Sequence, residues 1–85
     1  MERYTEKSAA GRYELSAGVE SDTAVQKLGK YEEMHQALTA EQEHILSQME
    51  KLKQQGKTKT VTYNQLFANK LMVANLLDRL KLYDL

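Results

Sequence analysis

Cysteine, proline and tryptophan are absent from these 85 residues, and phenylalanine occurs once. Without cysteine there can be no disulfide framework and no thiolate metal site, which suits a reducing cytoplasm. Without proline nothing forces a break in a long helix. No apolar run approaches the length of a bilayer span, since the longest, Leu71 to Leu77 with Val73–Ala74 and Leu76–Leu77 at its centre, is interrupted by Asn75. The N-terminus is of mixed charge and lacks the apolar segment of a secretion signal, so no membrane partner is expected. An excess of either charge is also missing, with 12 basic and 12 acidic side chains, which argues against a uniformly basic nucleic-acid binder. The charges are nevertheless segregated. Residues 1–50 hold five Lys/Arg against ten Asp/Glu, and residues 51–85 hold seven against two. An acidic front and a basic back favour docking of one on the other, within or between subunits, although exposed pairs alone contribute little.

What is present reads as helix, and the fold class is all-α. A chain of this length makes one domain near the lower size at which an apolar core holds unaided. Residues 1–20 form a separate N-terminal segment ahead of a helical domain spanning 21–85. Within it, Arg3–Lys7 and Arg12–Leu15 alternate loosely around Ser8-Ala9-Ala10-Gly11, a pattern compatible with a β-hairpin. The run is also polar enough to stay unfolded. A hairpin there would have to pack its tyrosines on the helices. Residues 16–20, with Gly18, read as a linker. Three helices are expected, at about 22–37, 40–55 and 63–83. The first, capped by Ser21 or Asp22, repeats Ala24, Val25, Leu28, Tyr31, His35 and Leu38 along one face. Gly29 within it costs helix stability unless it admits a close neighbour. The second opens on a Thr39/Gln42 capping box and carries Ile45, Leu46, Met49 and Leu52. It closes on Lys51, Lys53 and the left-handed cap position Gly56. The third opens on a second capping box, Thr62 with Gln65, and a hydrophobic staple of Val61 with Leu66. The second and third helices make a long antiparallel hairpin, with the first as a shorter companion.

The third helix carries more apolar surface than two companions can cover. Leu66, Val73, Leu77 and Leu80 form a narrow seam, with Phe67, Leu71 and Ala74 to one side and Met72, Leu76 and Tyr83 to the other. Such a helix must be enclosed, so the chain is expected to dimerise or to seat a foreign protein. Met72, Leu76, Tyr83, Phe67 and Leu71 are the candidate partner-binding residues.

Chemistry is thinly represented. Glu32-x-x-His35 and Glu41-x-x-His44 have the spacing of helical di-iron ligands. The third helix, however, offers no carboxylate before Asp78, so no metal site is expected. Gly56-Lys57-Thr58 lacks the earlier glycine and the preceding strand of a phosphate-binding loop. Ser47 near His44 has no third group to orient the imidazole. Neither enzyme activity nor a cofactor is expected. Lys51, Lys53, Lys57 and Lys59 cluster ahead of a helix N-terminus, where they could hold an anionic partner, either nucleic acid or an acidic protein. Arginine and stacking aromatics are scarce there, which favours the protein.

Three strings carry a likeness: Lys27-Leu28-Gly29-Lys30-Tyr31-Glu32, Gln55-Gly56-Lys57-Thr58-Lys59-Thr60-Val61-Thr62-Tyr63, and Leu66-Phe67-Ala68-Asn69-Lys70-Leu71-Met72. Together with the opening Arg3-Tyr4-Thr5-Glu6-Lys7, the chain resembles small accessory proteins of prophages and mobile elements of Gram-positive bacteria. The resemblance implies a phage setting in the host cytoplasm. Its implied activity is non-enzymatic: binding a host or phage protein, as an inhibitor of a host defence complex such as CRISPR–Cas would. The alternative from another class is a small nucleic-acid-binding regulator that uses the 51–59 loop.

Overall fold

The N-terminal segment is a hairpin. In the computed structural model, which describes residues 1–85, strand β1 (Thr5–Lys7) pairs antiparallel with β2 (Tyr13–Leu15). The register sets Thr5 opposite Leu15, Glu6 opposite Glu14 and Lys7 opposite Tyr13. The turn is closed by Ser8, whose N–H donates to the Arg12 carbonyl at 2.7 Å and whose carbonyl accepts from Gly11 N–H at 2.9 Å. Gly11 has φ +77°, which a residue without Cβ adopts freely. A further bond from Ser16 N–H to Tyr4 O at 2.9 Å lengthens the ladder.

Two helices follow, α1 (Ser21–Gln54) and α2 (Val61–Lys81), where the sequence predicts three. The expected break between residues 37 and 40 does not occur. Thr39 lies inside α1 and turns its hydroxyl back onto the helix, donating to the His35 carbonyl at 3.2 Å. That bond is available to a helical threonine, and the neighbouring Ala37, Leu38 and Ala40 favour continuation. Gly29 is also absorbed into α1, and a Cβ there would meet nothing within 4 Å, so no close neighbour explains it.

The helix ends are specified by hydrogen bonds. At the end of α1, Lys57 N–H donates to Leu52 O at 2.8 Å and Gly56 N–H to Lys53 O at 3.0 Å, with Gly56 at φ +71°. This is the Schellman closure anticipated for that glycine. The start of α2 departs from expectation. Thr60, not Thr62, is the cap: its Oγ1 accepts from Tyr63 N–H at 3.2 Å and donates to the Lys57 carbonyl at 2.9 Å. Val61 is therefore the first helical residue and 82% exposed, so it forms no staple. The far end of α2 stops at Lys81 rather than 83. Leu85 N–H reaches Leu80 O and Asp84 N–H reaches Lys81 O, with Asp84 left-handed at φ 61°.

The chain forms two compact units, Met1–Glu33 and Met34–Leu85. In the second, α1 and α2 are joined by a short turn and pack through one small core. Ile45 and Met49 of α1 and Val73 of α2 are buried, and Leu38, Tyr63, Leu66 and Leu77 pack around them. Ile45 and Met49 are four residues apart on one face of α1, and Leu66, Val73 and Leu77 share the seam of α2. No helix is long and apolar enough to cross a membrane.

Candidate protein-interaction surface

The apolar residues of α2 divide as their helical positions require. The seam turns inward, with Val73 1% exposed, and Leu80 is half-buried. Both flanks remain in solvent: Phe67 and Leu71 on one side are 45% and 51% exposed, and Met72 and Leu76 on the other are 56% and 44%. Ala74 is half-buried. Tyr83 lies just beyond the end of α2 and is also exposed. One residue of this surface is contributed by α1. Leu46, assigned to the core by its periodicity, follows Ile45 by a single position and therefore points about 100° away from it; it is left 44% exposed.

The four lysines do not converge on one concave site. Lys51 and Lys53 are two residues apart on α1, which places them about 200° apart around the helix. Lys57 and Lys59 lie in the exposed turn before Thr60. Lys51 lines a cleft of about 300 Å³, shared with Gln48, Leu52, Gln55, Thr62 and Leu66 at the turn end of the helical pair. The first free N–H groups of α2 are reduced by the Thr60 cap, which takes that of Tyr63.

Of the two Glu-x-x-His strings, His35 is half-buried on α1 and His44 is exposed. No group of three or more His, Cys, Asp or Glu side chains is placed to hold a metal ion.

The first unit carries a feature that sequence pattern does not mark. Lys27 of α1 lays its Nζ 4.3 Å over the Tyr4 ring and donates to the Glu2 carbonyl at 3.2 Å. The cationic head over the ring face is attractive electrostatically. A largely apolar cleft of about 370 Å³ opens beside it among Met1, Tyr4, Ala24, Leu28 and Tyr31. Of the tyrosines expected to pack, Tyr4 is half-buried, whereas Tyr13 is exposed with Lys7 Nζ 5.6 Å from its ring. The spacing of 23 residues between Tyr4 and Lys27 leaves no local signal by which this pair could be foreseen.

Compared with protein-family models, curated proteins and solved structures, the chain finds no match in any of the three.

Proposed function

We propose that the chain is a non-enzymatic protein-binding module, working in the host cytoplasm as a phage-type inhibitor of a larger host machine such as a CRISPR–Cas complex. The phage setting comes from the sequence likeness. The observation that carries the binding role is the exposed apolar flank Met72–Leu76 on a helix whose adjoining seam is already buried. Exposed apolar side chains at helical spacing are what a helix-in-groove contact uses. Lys51 and the neighbouring cleft lie on the same side of the pair, and Arg79 follows Met72 by about two turns of α2. A partner that offers an apolar ridge with an acidic rim fits this surface. The lysines then steer the encounter and the apolar flank holds the complex.

The competing reading, a nucleic-acid regulator, uses Lys57 and Lys59 of the exposed turn. The experiment that separates the two is a capture from nuclease-treated host lysate run beside titrations with duplex and single-stranded oligonucleotides. The expected result is a protein partner that survives nuclease and is lost in Met72→Asp, with no micromolar binding of either oligonucleotide at physiological salt. Micromolar DNA binding that falls steeply with salt and disappears in Lys57→Glu/Lys59→Glu would overturn the proposal.

A further inference from the structure

The two outer edges of the N-terminal hairpin differ. Its ladder alternates: Ser16 N–H donates to Tyr4 O and Ser8 N–H to Arg12 O, with Glu6 across from Glu14 between them. In an antiparallel pair every second position exchanges both backbone bonds, so Tyr4/Ser16, Glu6/Glu14 and Ser8/Arg12 turn theirs inward. The backbone N–H and C=O groups of Thr5 and Lys7 on β1, and of Tyr13 and Leu15 on β2, therefore point away from the pair. On β1 that edge is occupied. Arg3 Nε donates to the Thr5 carbonyl at 3.1 Å, and Arg3, Tyr4 and Thr5 line a cleft with Ala24, Lys27 and Leu28 of α1. Lys7, the other outward residue, carries the kind of charge that commonly guards a strand edge. The β2 edge has no such cover. All three of its residues are exposed, Tyr13 to 66% and Leu15 to 41%.

We propose that the β2 edge takes an extended segment of another protein as a third, antiparallel strand. The segment it fits has a basic residue opposite Glu14, apolar residues opposite Tyr13 and Leu15, and an acidic residue opposite Arg12. Strand addition draws its affinity from main-chain bonds and its selectivity from alternate side chains. Tyr13 and Leu15 offer two N–H and two C=O groups to such a strand. Their side chains share one face of the hairpin with Thr5 and Lys7, and apolar neighbours would extend that face beside them. The other face sets the charge. Alternation places Glu6, Arg12 and Glu14 there, with Glu14 next to the open edge and directly across from Glu6. A cation opposite Glu14 relieves that like-charge pair, and an acid opposite Arg12 adds a second attraction. A second copy of the chain fits less well. The two-fold pairing of β2 with itself that engages both Tyr13 and Leu15 sets Glu14 against Glu14. Sliding it one ladder step either way sets Leu15 opposite Gly11, whose N–H is already bonded to Ser8 O, or Tyr13 opposite Ala17, which lies beyond β2. A foreign strand carries none of these conflicts. The contact belongs to the N-terminal unit and goes beyond the reading built on the α2 flank.

The test follows the amide resonances of the full, isotope-labelled chain during titration to millimolar levels with an end-blocked pentapeptide, Thr-Val-Lys-Val-Glu. In the antiparallel register its lysine meets Glu14 and its glutamate meets Arg12. The control, Thr-Val-Glu-Val-Lys, has the same composition with the two charges exchanged. The expected result is that the Tyr13 and Leu15 amides shift and gain exchange protection. The control should bind roughly ten-fold more weakly, because two attractive cross-strand pairs become repulsive. The double change Arg12→Glu/Glu14→Lys should reverse the preference between the peptides. Leu15→Pro removes an outward N–H but no bond of the β1–β2 ladder, and should abolish binding. Met72→Asp on α2 should leave it unchanged. Shifts at Thr5 and Lys7 instead, equal affinity for the two peptides, or no shift at Tyr13 and Leu15 would overturn the proposal. So would the same shifts on concentrating the chain without peptide, which would make a second copy the occupant.

Discussion

At the scale of single residues, Gln42 marks where local pattern and tertiary packing part. Three positions after Thr39 it completes the capping-box string, which predicts a side chain reaching back to a free backbone N–H. Inside a continuous α1 no such N–H exists, and the Gln42 side chain lies half-buried with its Oε1 sealed from solvent and without a hydrogen-bond partner. An unsatisfied buried acceptor forfeits its hydration and gains nothing in return. Gln42→Leu keeps most of the volume, removes that penalty and keeps a helix-favouring residue. The expected outcome is a gain of about 1 kcal/mol, read as a higher denaturant midpoint at unchanged m-value. A lower midpoint would show the amide to be satisfied in solution. The sequence reads Thr39 as a cap, and the structure turns its hydroxyl back onto its own helix, because a threonine hydroxyl can do either.

At the scale of elements, the caps decide where each helix begins and ends. Gly56 was readable because a left-handed residue after a helix is sterically free only for glycine, and its φ of +71° makes it so. The start of α2 was misplaced by two residues because Thr58, Thr60 and Thr62 alternate, and each can cap. What selects Thr60 is the returning chain: its hydroxyl bridges from Lys57 O to Tyr63 N–H, tying turn and helix together. Thr60→Ala should therefore destabilise the protein by about 1 kcal/mol, whereas Thr62→Ala, in the first turn, should change it by less than about 0.5 kcal/mol. Thermal or denaturant unfolding of the two variants side by side checks this, and equal losses would return the cap to Thr62.

At the scale of the whole molecule, stability is unevenly spread between the two units. All three buried side chains, Ile45, Met49 and Val73, belong to Met34–Leu85. The unit Met1–Glu33 has none, and its three-residue strands set Glu6 directly across from Glu14, a like-charge pair that opposes the ladder. Native-state hydrogen exchange should therefore find the amides of β1 and β2 opening at much lower free energy than those of α1 around Ile45 and Met49. Equal protection in both regions would mean that the hairpin is held by contacts stronger than its short ladder and the Lys27–Tyr4 stacking.

The sequence by itself determined the helical character, the Gly56 stop and the inward seam of α2. Each depends on residues within a turn or two of one another, where steric freedom and periodicity act directly. Only the tertiary structure decided that α1 runs unbroken through Thr39, that Thr60 rather than Thr62 caps α2, and that Leu46 is left in solvent. These choices turn on which of several locally equivalent hydrogen bonds and faces the packing of α1 against α2 leaves available.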